Sequence, residues 1–220
     1  MLVLDDILST DEVARVRESL KHVPFRDGRV SAGPAAREVK QNEQADRGDP
    51  EAAALARLVK MALERHPTFP ALVRPIRWSN LMFSRYVTGH RYGLHTDDAS
   101  MVDEHGWLLR TDVSFTLFLS SPDEYEGGAL RFSGAAGENT FRPASGSAVV
   151  YPTGVLHEVT PVTGGVRLAC VGWVQSLIRR ADQRELLYDL ERARRDLTSR
   201  EAQLLLDKSI GNLLRMWGEG

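Results

Sequence analysis

The sequence predicts a mainly β fold with flanking helices: a jelly-roll core carrying a C-terminal helical extension. Three observations lead there. Between Ile76 and Ser176, short runs rich in branched and aromatic residues are punctuated by Gly, Pro and Asp, with no helical periodicity between them. Helical patterns precede and follow that stretch, which argues for β and α parts segregated along the chain. The 220 residues, 42% hydrophobic, suffice for one sizeable core and a small appendage. The expected division is residues 1–178 for the β domain with its N-terminal helices and 179–220 for the extension.

Ser9-Thr10-Asp11-Glu12 reads as a capping box, and Val13, Val16 and Leu20 follow at helical spacing. Residues 26–49 read as loop around a strand near Val39. Asp49-Pro50-Glu51 opens a second helix with Pro in its first turn, and that helix should stop before Pro67. The expected strands are Trp78–Val87, Asp112–Leu119, Ala129–Phe132, Asn139–Arg142, Ser147–Tyr151, Glu158–Val162 and Val166–Gln175. Asp182–Leu197 carries a helical apolar stripe. Thr198-Ser199-Arg200-Glu201 reads as another capping box before a last helix marked by Leu206, Ile210, Leu213, Leu214 and Trp217. That stripe lacks an obvious partner within the two helices, so a homo-oligomer through them is expected.

A formal net charge of −2 gives no global basic excess for nucleic acid and no acidic excess for disorder. Cys170 is the single cysteine, so no intrachain disulfide can form, which fits a reducing compartment. Met1–Leu4 runs at once into Asp5-Asp6, unlike a signal peptide, and no apolar run approaches the roughly 20 residues of a membrane span. A soluble cytoplasmic protein, with no membrane partner, is expected.

The chemistry concentrates in Tyr86–Ser100, YVTGHRYGLHTDDAS. In extended chain, residues two apart point to the same side, so His95 and Asp97 can converge on one ion. A third ligand is needed. His22 and His66 sit near helix ends, His90 in a turn and His105 in a charged loop; His157 has a strand context. His95, Asp97 and His157 make a two-histidine, one-carboxylate set, which leaves coordination positions open and favours non-haem Fe(II) over zinc. Alone, an H-x-D pair is more often a polar loop.

Arg167 changes the balance. It lies among Val166, Leu168, Ala169, Cys170 and Val171, where a charge is expensive unless paired. One reading faces it to solvent; the other makes it a guanidinium that binds a ligand carboxylate through two prongs. With Thr163-Gly164-Gly165 as a hairpin turn, His157 and Arg167 face the same interior only if the loop is odd or a bulge lies beside Pro161.

These residues resemble the iron(II) and 2-oxoglutarate-dependent dioxygenases, by His95-x-Asp97, His157 and Arg167. Tyr86-x-x-Gly-x-x-Tyr92-x-x-His95, EGGALRF at Glu126–Phe132 and Trp173 resemble the prolyl-hydroxylase-like branch. VKQNEQ at Val39–Gln44, SFTLFLSSPDEYEGGALRF from Ser114 and WVQSLIRRADQRELLYDLERAR from Trp173 extend a likeness to bacterial PKHD-type hydroxylases over nearly the whole chain. The resemblance implies a double-stranded β-helix, iron on His95, Asp97 and His157, and 2-oxoglutarate as co-substrate. Arg167 would hold the distal carboxylate, Tyr86 would add a hydrogen bond, Thr116 or Phe118 would line the co-substrate pocket, and Trp173 would close its wall or serve as ordinary core. Lys40 and Asn42 could approach the pocket. The reaction implied is hydroxylation of an unactivated C–H bond of a small molecule or peptide side chain with O₂, giving succinate and CO₂. L-ascorbate as a further reductant and a link to iron uptake come from the resemblance alone. Asp98 and Asp112 are the carboxylates available to support the imidazoles. Residues 26–49 and 99–110 should form the substrate entrance, with His105, Trp107 and Arg110 as candidate contacts.

Three rivals remain. A nucleic-acid demethylase of the same superfamily would carry a second arginine where Trp173 stands. A cupin-like isomerase or sugar-binding jelly roll would dispense with Arg167. A non-catalytic scaffold would bind a partner through its C-terminal helices.

Overall fold

The Ser9 box forms as expected: its hydroxyl accepts from the Glu12 N–H while the Glu12 carboxylate accepts from the Ser9 N–H. The computed structural model describes residues 1–103, 105–135 and 137–219. The chain begins with β1 (Leu2–Leu4), α1 (Thr10–Leu20), β2 (Phe25–Asp27), a 3₁₀ turn (Gly28–Ser31), α2 (Pro34–Val39), β3 (Lys40–Gln41), β4 (Glu43–Ala45), α3 (Pro50–Arg65) and α4 (Phe69–Val73). Then come β5 (Pro75–Trp78), β6 (Met82–Val87), β7 (Arg91–His95), the β8 (Ser100–Val102) and β9 (Leu108–Arg110) hairpin, and β10 (Val113–Phe118). Strands β11 (Tyr125–Gly127), β12 (Leu130–Gly134), β13 (Gly137–Phe141), β14 (Ala148–Pro152), β15 (Leu156–Val159) and the long β16 (Val162–Ser176) complete the β part, before α5 (Ala181–Asp196) and α6 (Arg200–Trp217).

The strands form two antiparallel sheets. The larger runs β1-β14-β10-β16-β6-β4-β2, with β11 and β5 also paired to β16; the smaller runs β13-β12-β15-β7-β3. This is the double-stranded β-helix. Along β16, Leu168, Cys170 and Val174 join the core beneath α1, α3 and α4, while Arg167, Val171 and Trp173 face the space between the sheets. The alternation follows from the period of two in a pleated strand. Phe118, Val149 and Tyr151 of the large sheet meet Leu130 and Phe132 of the small one and seal one end of the sandwich.

Several elements differ from expectation. Pro34 opens a helix through Val39, and the strand starts only at Lys40. The single strand expected over Trp78–Val87 is two, because Trp78 pairs with Val174 and Met82 with Val171; the extra residue makes a bulge at Ser79–Leu81. The short helix α4 and the β8–β9 hairpin were not anticipated. The cap of α6 is Ser199, whose hydroxyl accepts from the Ala202 N–H, one residue beyond the expected Thr198.

The largest correction concerns residues 160–167. No β15–β16 hairpin forms. The chain turns at Thr160-Pro161, leaves the small sheet and enters the large one, where Gly165 pairs with Tyr125 and Arg167 with Tyr86. A register shift does lie near Pro161, but in the β11–β16 pair. His157 and Arg167 therefore share no ladder; they face each other across the sandwich from different sheets. Proline suits this corner because it has no N–H to leave unpaired.

The expected orphan stripe on α6 also finds partners. Ile210 packs with Leu187 of α5 and with Ile178, while Leu213, Leu214 and Trp217 border the same cluster. Among the described residues no helix is long and apolar enough to cross a membrane.

Gly127 sits at φ +67°, and a Cβ there would lie 2.0 Å from the Pro161 carbonyl oxygen. Gly127→Ala is expected to destabilise the fold by about 2 to 4 kcal/mol, from left-handed strain plus displacement of the corner that delivers β16. Urea unfolding monitored by tryptophan fluorescence measures this; an unchanged midpoint would mean the corner is not constrained there.

Candidate active site

His95 closes β7 and His157 stands opposite it on β15. A strict period of two would place Tyr92 and His95 on opposite faces of β7. Instead Tyr92 pairs with Val159 and His95 with His157, so β7 carries one extra residue at Gly93-Leu94. The bulge turns both rings inward. They stack with centroids 3.6 Å apart, and the two imidazole centroids are 4.3 Å apart. Gly93 suits the place: a Cβ there would lie 2.9 Å from the Val39 Cβ.

Asp97 faces both rings, one carboxylate oxygen 3.9 Å from His95 Nε2 and the other 3.8 Å from His157 Nε2. One ligand atom from each of the three residues lies within 4.8 Å of the others. The tautomers follow from the neighbours. His95 Nδ1 is 2.7 Å from the Gly93 carbonyl oxygen and His157 Nδ1 is 3.0 Å from that of Val155. A carbonyl only accepts, so each Nδ1 carries the proton and each Nε2 presents a lone pair to the centre. Burial and the neighbouring His157 push His95 down to about 4, which keeps it neutral near pH 7. Two neutral imidazole nitrogens and one carboxylate on one face fit a divalent transition metal with open positions.

Support for these groups comes from residues other than those expected. The imidazoles lean on backbone carbonyls. Asp98 is exposed at the rim, and Asp112 accepts from Arg110 Nε at 2.7 Å and from the Ser176 N–H at 2.9 Å. Ser114 is the group sequence reading missed: its hydroxyl donates to Asp97 at 2.8 Å. Its place two residues before Thr116, on one face of β10, was the available signal. Tyr151 was missed too; its hydroxyl lies 3.4 Å from His157 Nε2.

Arg167 is 1% exposed, yet its Nε and one terminal nitrogen have no hydrogen-bond partner. Its guanidinium lies 5.1 Å from the Tyr86 ring centroid and 5.0 Å from that of Phe118. Among the described residues no carboxylate pairs with it. Tyr86 is buried beside it, and burial raises its phenol pKa, so it remains an O–H donor. A cavity of about 710 Å³, counting its open mouth, joins the triad to Arg167, Tyr86, Thr116, Trp173 and Tyr151. Thr116 lines it, whereas Phe118, on the same face of β10, lies against the guanidinium. Trp173 forms wall, with its indole N–H buried and unpartnered.

The VKQNEQ stretch turns Lys40, Asn42 and Gln44 into this cavity. Lys40 is pushed down to about 8 by burial, with Asp97 pulling the other way. The mouth is framed by Ser31, Gly33, Ala36 and Met101, in the two segments expected at the entrance, and by Thr96 and Asp98, which lie outside them. His105 and Trp107 instead border a separate surface groove with Lys60 and Arg77, and Arg110 is engaged with Asp112 and Glu219.

Residues 81–175 match the family model of the 2OG-Fe(II) oxygenase superfamily. A PKHD-type hydroxylase of Synechococcus elongatus is 45% identical over the full length of both chains, and one of Rippkaea orientalis is 41% identical over the same span. The fold resembles a Pseudomonas putida prolyl-4-hydroxylase, with TM-score 0.55 and 23% identity over 80% of this chain and 91% of that one. It also resembles HygX of Streptomyces hygroscopicus, whose structure has nickel and 2-oxoglutarate bound, with TM-score 0.53 and 16% identity over 80% and 83%. The chain belongs to the 2OG-Fe(II) oxygenase superfamily and, within it, to the PKHD-type hydroxylases.

The depressed pKa of His95 has a consequence for stability without metal. Below the ordinary histidine value of 6.5 the unfolded chain takes up a proton that the folded one refuses until about 4. The unfolded state then binds more protons, so stability falls as pH drops through that window. Urea midpoints of metal-free protein should decline from pH 6.5 towards 4, and His95→Gln should flatten the slope; equal slopes would reject the assignment.

Proposed function

We propose that His95, Asp97 and His157 hold Fe(II), and that Arg167 and Tyr86 grip the distal carboxylate of 2-oxoglutarate. The observation that carries this is the buried Arg167, without a carboxylate partner, in the same cavity as the triad. When bound, iron and 2-oxoglutarate supply oxidative decarboxylation with O₂, which hydroxylates a C–H bond and releases succinate and CO₂. The chain's own groups do the rest. The Nε2 lone pairs and Asp97 take one face of the metal, Asp97 also offsetting part of its charge, and Ser114 fixes the carboxylate by its hydrogen bond. Arg167 and the Tyr86 hydroxyl orient the co-substrate; Thr116 and Trp173 wall it from water.

Catalysis is assigned to residues 1–178, with 179–220 as a helical extension. The substrate is a small molecule or a peptide side chain entering past Ser31–Ala36 and Met101. A reducing, cytoplasmic setting is supported by the lone, buried Cys170. The iron-uptake link and the use of L-ascorbate rest on the resemblance alone. Self-association through the last helices rests on exposed Leu204, Leu205 and Met216; light scattering on a Leu204→Glu/Leu205→Glu variant should show fewer subunits than the native chain.

Anaerobic Fe(II) with 2-oxoglutarate should give a weak visible charge-transfer band. His157→Ala should abolish it; its persistence would remove His157 from the metal. Arg167→Met should weaken 2-oxoglutarate binding by about 100-fold or more while leaving metal affinity near its native value. A cupin-like binder would show neither effect.

A further inference from the structure

Lys40 is a buried cation that neither the metal nor the co-substrate requires. It is 4% exposed and lines the cavity from β3, at the edge of the small sheet, whereas Arg167 enters from the large one. Its ammonium makes one hydrogen bond, donated to Ser31 Oγ at 2.9 Å, and lies 4.9 Å from the centroid of the Tyr92 ring that stacks on His95. Among the described residues no carboxylate comes within ion-pair distance. An ammonium has three donors, so two lack a partner in a place shielded from bulk water. Tying the 3₁₀ turn to the sheet explains one of them, and a neutral hydroxyl or amide would do that without burying charge.

Charge counting sharpens the point. Fe(II), Asp97, Arg167 and dianionic 2-oxoglutarate cancel, leaving Lys40 as the surplus. Asp98, the other carboxylate on the cavity wall, is exposed at the rim. Asn42 follows Lys40 on the same face of the chain and lines the cavity, its buried side-chain amide lying against the Tyr86 hydroxyl. Ser31, the partner of Lys40, belongs to the mouth. The unsatisfied donors therefore sit where a molecule entering the cavity arrives.

We infer that the substrate is an anion, carrying a carboxylate near the C–H bond to be hydroxylated, and that Lys40 receives that carboxylate on the mouth side of the cavity. This rests on the reading of the site as an iron and 2-oxoglutarate centre.

The test uses two probes of one shape, propionate and propionamide, titrated by ligand-observed NMR into full-length protein loaded with Zn(II) and 2-oxoglutarate. The native protein should bind propionate about tenfold more tightly than propionamide. Lys40→Met and Lys40→Gln should each erase that preference while binding 2-oxoglutarate within about twofold of native. Equal binding of the two probes, no saturable binding of propionate, or a preference that survives both substitutions would overturn the inference. Loss of 2-oxoglutarate affinity in both variants would assign Lys40 to the co-substrate and overturn it as well. Failure of the native protein to take up 2-oxoglutarate would instead overturn the underlying reading, and this inference with it.

Discussion

The constraint around which this fold is organised is a guanidinium enclosed between two sheets with no carboxylate among the described residues to neutralise it. Removing a cation from water costs several kcal/mol, of order, unless a counter-charge replaces the lost solvation. Arg167 has only the faces of Tyr86 and Phe118 beside it, which recover part of that cost. On the proposed reading, the cavity takes a ligand that carries the missing charge. On that reading the deep end would be stabilised most when occupied.

Two departures from regular strand geometry place the reacting groups. The bulge at Gly93-Leu94 brings Tyr92 and His95 onto the same face of β7, and the corner at Pro161 moves the chain from one sheet to the other within a few residues. Without the first, one of the two rings would point outward. Without the second, Arg167 would extend the ladder of His157 instead of confronting it. The carbonyls of Gly93 and Val155 then complete the imidazoles, so the orientation of the metal ligands is set by backbone and not by acidic side chains.

The cavity is polarised along its length. Its deep end holds Arg167 and Tyr86, with Asn42 against the phenol; its centre holds the triad, with Ser114 and Tyr151 behind it; its mouth holds Lys40 and the 3₁₀ turn. One short stretch, Lys40 to Gln44, contributes three polar side chains to the wall because residues two apart in extended chain share a side. The N-terminal segment thus contributes cavity wall from outside the β run that matches the superfamily model.

The sequence by itself determined the main elements and the candidate ligand set. Capping residues, Pro and Gly positions and apolar periods are local signals, and they placed α1, α3, α5, α6 and the strands β6, β10 and β12 to β16. The pairing of His95-x-Asp97 with His157 was legible because only one remaining histidine had a strand context, and Arg167 because a charge amid apolar neighbours demands an explanation. Tertiary structure decided what local rules cannot encode. The expected hairpin at Thr163–Gly165 failed because pairing partners of β16 come from Tyr86 and Tyr125, far away in sequence. The contacts of Ser114 and Tyr151 emerged only when β10 and β14 were brought to the same cavity. His105 and Trp107 were left outside it because they border a separate groove with Lys60 and Arg77, and Arg110 because it is engaged with Asp112 and Glu219. Side-chain period is a property of one strand, but which strands face each other is fixed by long-range burial, and a single bulge or corner reverses the assignment.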